Sequence, residues 1–177
     1  VWLSIPLDVQ AAEIDPNQLE GYIIPEGNAQ DVSGEIGKTI SLLKEARKPV
    51  ILAGNGIKLG NALDDFYKLL EILQIPVLTT WKAVDILGEE DGLYLGHPGS
   101  MGDRGANLIL QEADLLISIG SRIDTSITAF NEPHFGKNAK KVIVDIDANE
   151  LSRMKLRQVE VSIACDAKQF IGELIIE

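Results

Sequence analysis

The apolar residues of this chain fall into short continuous runs that alternate with segments in which they recur every three or four positions. The recurring spacing is typical of amphipathic helices, and the short runs of buried strands. Strands that are apolar throughout are covered on both faces, as in a parallel sheet between two layers of helices. The pattern predicts strands at 49–53, 75–80, 114–120, 141–146 and 161–165, with helices at 33–48, 63–70, 106–113, 150–154 and 167–176. We therefore predict an α/β fold with a three-layer, doubly wound parallel sheet.

The first 33 residues do not follow this alternation. Residues 1–8 form an apolar run that predicts one strand ended by Pro6, since proline cannot donate to a sheet. Residues 11–33 have no sustained period and predict a linker. The breakers within it are Pro16, Pro25 and Gly27. Because the chain starts in a strand and stops in a helical pattern, we expect an excised piece: 1–10 from a preceding domain, 11–33 a linker and 34–177 an α/β domain.

Composition narrows the classes of function. The chain has 27 acidic and 16 basic residues and a net charge of −11, which argues against a nucleic-acid partner. No apolar run approaches the roughly 20 residues of a membrane span. A single cysteine, Cys165, excludes an internal disulfide and suits a cytoplasmic protein.

Candidate chemistry lies directly after four predicted strands, at 54–56, 79–81, 120–124 and 145–147. Ligands of open parallel sheets bind beyond the carboxyl ends of the strands. Glycines let a backbone approach a ligand, Arg122 can clamp a pyrophosphate, and Asp145 or Asp147 can accept from ribose or ribityl hydroxyls. The pattern predicts a dinucleotide crevice. Its candidate cofactor-binding residues are Gly54, Asn55, Gly56, Thr80, Gly120, Arg122, Asp145 and Asp147.

Each of these residues has a plainer alternative. Gly54 and Gly56 could only form a tight turn, Asp147 could cap the next helix, and Arg122 could form a surface ion pair. Cys165, inside a strand, is interpreted as a small buried residue. No metal cluster or nucleophilic triad is indicated. A nicotinamide site is disfavoured because the glycine spacing is one residue too long and no acid ends the second strand.

An ordered series of segments resembles the central domain of acetolactate-synthase-like thiamine-diphosphate enzymes over nearly the whole chain. The segments are 5–10, 47–56, 75–80, 95–107, 113–128, 145–150 and 166–168. The resemblance implies a Rossmann-like sheet of about six strands. It also implies that thiamine diphosphate and Mg²⁺ are bound by domains absent here, so that this part alone is inactive. The adjacent pyrimidine-binding and diphosphate-binding domains, and a homo-oligomer, are the implied partners.

The resemblance also implies a ligand for the crevice, which in such enzymes is FAD, ADP or nothing. The positions that match flavin contacts are Gly54, Gly56, Thr80, Arg122 and Asp145. Three loops depart from the family pattern, at Trp81-Lys82, Ser100-Met101 and Thr125-Ser126. The alternative function is a purely structural spacer or oligomerisation domain of another thiamine-diphosphate decarboxylase, oxidase or ligase.

Overall fold

A computed structural model describes residues 2–23 and 30–176. Its centre is a parallel five-stranded sheet. The strands are β1 Pro49–Ala53, β2 Val77–Thr79, β3 Leu115–Ile119, β4 Lys140–Asp145 and β5 Val159–Ala164. Their order across the sheet is β2-β1-β3-β4-β5. From β1 the chain adds β2 on one side and β3, β4 and β5 on the other, so the strand order reverses between β1 and β3. The predicted doubly wound α/β class is confirmed.

Along the chain, helices precede β1, separate β1 from β2, β2 from β3 and β4 from β5, and follow β5, as the sequence pattern predicts. They are α1 Leu7–Gln10, α2 Ser33–Glu45, α3 Gly56–Leu59, α4 Leu63–Leu73, α5 Arg104–Glu112, α6 Ala148–Arg153 and α7 Ala167–Ile176. Short 3-10 turns occupy Pro16–Gln18, Trp81–Ala83 and Glu132–His134. The one-turn helix α3 was not predicted, because four residues are too few for a periodic signal.

Two apolar clusters fill the space on either side of the sheet. One packs α2, α4 and α7 against one face and includes the fully buried rings of Phe66 and Phe170. The other packs α5 against the opposite face and includes the buried side chain of Leu110. Successive residues of β1 alternate between the clusters, Ile51 on the first side and Leu52 on the second. This burial on both faces is the physical reason for the continuous apolar runs.

The sheet has five regular strands where the resemblance implies about six. The segment after Gly92 takes the sixth position in reduced form. Tyr94 forms an isolated parallel bridge with Val77, and the amide of Thr79 donates to the carbonyl of Gly96 at 3.1 Å. This stretch pairs with β2 on the side away from β1 over only a few residues, which is too short for a regular strand.

The strand predicted at the amino terminus is not formed, so that prediction is wrong. Residues 2–6 have no regular structure, residues 7–10 form α1, and Val1 lies outside the described residues. Every side chain from 2 to 23 is exposed, and Trp2 is 93% exposed. A strand needs a neighbour for its backbone groups, and none of the described strands lies beside this segment. Of the predicted linker breakers, Pro16 begins a 3-10 turn, whereas Pro25 and Gly27 lie outside the described residues.

A lysine is fully buried at the start of β4. The ammonium of Lys141 donates to the carbonyls of Gly136, Ala139 and Arg157, each at 2.8 Å. Burial lowers the pKa of Lys141 to about 8. This charge lies at the amino-terminal end of its strand and therefore away from the strand ends that were predicted to bind a ligand.

Candidate functional site

A cavity of about 540 Å³ opens at the carboxyl ends of the strands, at the β1/β3 position where the chain reverses direction. Six of the eight predicted cofactor-binding residues line it. They are Asn55, Gly56, Thr80, Gly120, Arg122 and Asp145. We call this cavity the crevice. It runs from Trp81 after β2 to Asp166 after β5, so the order of the strands brings together residues that are more than 80 positions apart.

Glycines form the floor of the crevice because two loops touch there through their backbones. The amide of Gly54 donates to the carbonyl of Ile119, and that of Gly56 to Gly120, both at 2.9 Å. A Cβ on Gly54 would lie 2.1 Å from the carbonyl oxygen of Gly120, and one on Gly56 would lie 2.7 Å from the Cα of Gly120. Gly120 itself has a φ of +59°, which favours glycine. Gly54 does not line the crevice; it supports the loop that does.

Arg122 lies at the mouth of the crevice. Its guanidinium donates to a carboxylate oxygen of Glu150 at 2.9 Å, and its side chain is 68% exposed. The surface ion pair that was the alternative for this residue is therefore formed. The guanidinium has five N–H donors, and the ion pair uses only one of them here. The remaining donors can serve an anion in the crevice without breaking the ion pair.

The two predicted acids of β4 have different roles. Asp145 is buried, and its two oxygens accept from the backbone amides of Arg122 at 3.1 Å and Asp147 at 3.0 Å. It therefore ties the β3 and β4 loops together at the wall of the crevice. Asp147 caps α6 by accepting from the amides of Asn149 and Glu150, and it does not line the crevice. Asp147 therefore has the capping role that was the alternative to ligand binding.

A further carboxylate, that of Asp124, lies on the loop that follows β3. Asp124 accepts from the amide and hydroxyl of Ser126 at 2.9 and 2.6 Å, and from the amide of Ile127 at 3.0 Å. Partial burial alone would raise the pKa of Asp124, but these hydrogen bonds and the ammonium of Lys82 outweigh it and lower that pKa. The carboxylate thus stays ionised and holds the loop in shape.

At the β2 end, the two threonines separate. Thr79 is fully buried and does not line the crevice, whereas Thr80 lines it together with Trp81 and Lys82. Among the described residues, the hydroxyl of Thr79 has no hydrogen-bond partner. Thr79 is the last residue of β2 and Thr80 is the first residue beyond it, and successive residues of an extended chain point to opposite sides. This alternation explains why only Thr80 lines the crevice.

Sequence reasoning missed the β5 end of the crevice. Cys165, Asp166 and Ala167 line it there, and Leu59 and Gly60 of the α3 region line it nearby. The signal for Asp166 was available, since it follows the fifth predicted strand and the strand-end rule applies to it equally. The α3 residues had no signal of their own, because the helix was not predicted.

The single cysteine is expected to be unreactive even though it lines the crevice. Burial, reinforced by the carboxylates of Asp166 and Glu173, raises the pKa of the Cys165 thiol to about 11. Since the thiolate is the reactive form, alkylation by iodoacetamide at pH 8 should be about 100-fold slower in the folded chain than in guanidinium. Mass spectrometry of timed samples measures both rates. A folded rate within tenfold of the denatured rate would contradict the prediction.

Comparison with known proteins supplies the family. The family model described as "Thiamine pyrophosphate enzyme, central domain" matches residues 36–174. The chain belongs to this family. Its matched part begins in α2 and ends in α7, so it contains the whole sheet and the crevice.

The relatives of this central domain are much longer proteins. A "Probable acetolactate synthase large subunit" of Methanococcus aeolicus is 38% identical over 183 residues, covering 99% of this chain and 30% of the relative. The "Acetolactate synthase large subunit" of Corynebacterium glutamicum is 36% identical, with 99% and 28% covered. "Acetolactate synthase isozyme 1 large subunit" of Escherichia coli is 35% identical, with 99% and 30% covered. The chain spans about 30% of the length of these relatives.

Two features are absent from the described residues of this central domain. Within the described ranges, no three His, Cys, Asp or Glu side chains form a group that could hold a metal ion. No helix of residues 2–23 or 30–176 has the length and apolar character to cross a membrane.

The residues of the crevice do suit a nucleotide, because a glycine floor that a Cβ would fill lies beside an arginine with spare donors.

Proposed function

We propose that this chain is the non-catalytic central domain of an acetolactate-synthase-like thiamine-diphosphate enzyme, and that its crevice binds an adenine nucleotide, FAD or ADP. The observation that carries the nucleotide proposal is the glycine floor beneath Arg122 at the β1/β3 reversal. Backbone atoms and one arginine at that position suit a diphosphate group. Thiamine diphosphate and Mg²⁺ belong, on this proposal, to other domains of the parent protein, which condenses pyruvate or a related 2-oxo acid.

The exposed apolar segment supports the proposed place of this domain in a longer chain. Trp2, Leu3 and Leu7 are each about four-fifths or more exposed. Water contact with such side chains is unfavourable, so a covering surface would stabilise them. We propose that residues 1–10 pack with the preceding pyrimidine-binding domain and 11–33 serve as the linker. The same proposal includes the diphosphate-binding domain as a further neighbour. It also includes a homo-oligomeric parent protein and a cytoplasmic location.

A titration with FAD and with ADP tests the nucleotide proposal. The wild-type chain should bind at least one of them at sub-millimolar concentration. Arg122→Ala should weaken that binding about 10- to 100-fold, because it removes charge-assisted hydrogen bonds to the diphosphate. Isothermal titration calorimetry measures both affinities.

The matched control is Arg153→Ala, which removes an arginine of α6 that does not line the crevice. It should leave the affinity unchanged within about twofold, the range expected when only distant screened charge is altered. Equal losses in both variants would indicate a general charge effect. No binding of either nucleotide by the wild type at millimolar concentration would favour the structural spacer instead.

A further inference from the structure

The β2 end of the crevice carries an aromatic wall. Trp81 directly follows Thr80, begins the 3-10 turn Trp81–Ala83 and lines the crevice. Its side chain is 52% exposed, so about half of the indole surface is free. The edge-on neighbour of the indole is the ring of His97, whose centroid lies 4.9 Å away at an interplanar angle of 65°. A half-covered indole facing a cavity is a surface on which a planar ring can stack.

The neighbouring loop holds His97 in place. One carboxylate oxygen of Asp103 lies 3.0 Å from Nδ1 of His97 and also accepts from the His97 amide at 3.0 Å. The Asp103 amide donates back to the His97 carbonyl at 2.8 Å. Gly96, with a φ of +89°, admits this carboxylate where a Cβ would lie 2.5 Å from it. The indole therefore rests against a ring that cannot easily turn away.

The length of the crevice sets the size of the ligand. Its lining runs from Trp81, after β2, to Asp166, after β5. Five adjacent strands separated by about 4.8 Å give a span on the order of 19 Å. The glycine floor and Arg122 lie between these ends, where a diphosphate would be held. A mononucleotide places one ring on one side of its diphosphate, whereas a dinucleotide places a ring on each side.

The two ends differ in their chemistry. Leu59 precedes Gly60, where a Cβ would lie 2.8 Å from the carboxylate of Asp166 after β5, and Ile146 follows β4. The largely exposed side chains of Leu59 and Ile146, together with this carboxylate, suit a base that carries an amino group. Trp81 and the ammonium of Lys82 lie at the β2 end. An aromatic face beside a cation suits an electron-poor ring system with carbonyl oxygens, because the cation can meet its acceptor edge.

We propose that Trp81 is a specificity-determining residue that stacks on the flavin ring, and that His97 with Asp103 positions it, so that the crevice prefers FAD to ADP. This inference rests on the proposed nucleotide function. It assigns the β2 end to the flavin and the β5 end to the adenine.

Fluorescence can observe Trp81 alone. The chain has two tryptophans, and Trp2 lies far out in solvent at the amino terminus. In a Trp2→Phe background, FAD should quench the emission of Trp81, whereas ADP should leave most of it. Calorimetry on the same protein should show FAD binding about tenfold or more tighter than ADP, the size expected for one aromatic stack.

Substitution of Trp81 separates the two ends of the ligand. Trp81→Ala should abolish the preference for FAD and leave the ADP affinity unchanged within about twofold, since ADP does not reach the β2 end. Equal weakening of FAD and ADP by Trp81→Ala would overturn the assignment of the ends. Equal affinity of the Trp2→Phe protein for FAD and ADP would also overturn it. Failure to bind either ligand would contradict the nucleotide function itself, which is a separate result.

The positioning role of His97 has its own readout. His97→Ala should lower the fluorescence anisotropy of Trp81 and reduce the FAD affinity several-fold, without changing the ADP affinity. His97→Phe keeps an edge-on aromatic ring and should restore most of both signals. If His97→Ala left the anisotropy and the FAD affinity unchanged, His97 would not position Trp81.

Discussion

Gly54→Ala is expected to destabilise the fold by about 3 kcal/mol, the upper part of the range for overpacking a rigid interior. The new Cβ would lie 2.1 Å from the carbonyl oxygen of Gly120 and 2.2 Å from the Cα of Ser121. These are backbone atoms, so no side-chain rotation relieves the clash. The two loops would have to separate, and the bond from the Gly54 amide to Ile119 would be lost with them. Urea denaturation followed by circular dichroism measures the change.

Gly37→Ala is the matched control for Gly54→Ala. Gly37 lies within α2, is exposed and has open space where a Cβ would be placed. Alanine there should stabilise the chain by up to about 1 kcal/mol, because it favours the helix. Opposite signs for the two substitutions would show that the close approach of the loops, and not the loss of glycine as such, causes the destabilisation. A Gly54→Ala protein within about 1 kcal/mol of wild type would contradict the contact.

The stability of the wild type should rise relative to that of Lys141→Met by about 2 kcal/mol between pH 7 and pH 10. The buried Lys141 has a pKa of about 8, below the ordinary value of 10.5 that it regains on unfolding. Between these values the unfolded chain binds more protons than the folded one, so the free energy of unfolding increases with pH. This contribution is complete above the unfolded pKa and is lost as the pH falls through about 8. Methionine at the same position cannot titrate.

Urea denaturation of both proteins at pH 7, 8.5 and 10 tests this difference. Lys140→Met is the control at the adjacent position, where the ammonium forms an exposed ion pair with Glu45 at 3.1 Å. Losing an exposed ion pair should change the stability by no more than about 1 kcal/mol. A constant difference between wild type and Lys141→Met across this pH range would show that burial does not favour the neutral amine.

The strand ends were predictable because two simple rules coincide there. Continuous apolar runs locate buried strands, and parallel strands all end at one edge of the sheet. For this reason Thr80, Gly120, Arg122 and Asp145 could be assigned to one crevice from their positions alone, and the structure brings them together. The same rule applied to the fifth strand would have added Asp166.

The predicted roles of individual residues were less secure. Gly54 and Asp147 were predicted as ligand-binding residues, with a tight turn and a helix cap as their alternatives; Gly54 supports a loop contact, Asp147 caps a helix, and neither lines the crevice. Both tasks require the same residue types that a nucleotide site requires, so composition cannot separate them. The amino-terminal strand failed for a related reason, since an apolar run indicates burial but cannot show what buries it.

The sequence by itself determined the class of fold, the elements of the sheet and the edge at which a ligand site would form. Hydrophobic periodicity and turn residues are local signals, and they depend only on near neighbours along the chain. The tertiary structure alone decided the strand order, the backbone contact of Gly54 with Gly120, the bond between Arg122 and Glu150, and the edge-on contact of Trp81 with His97. These contacts join distant positions through loop geometry and close packing, which no local pattern of residues encodes.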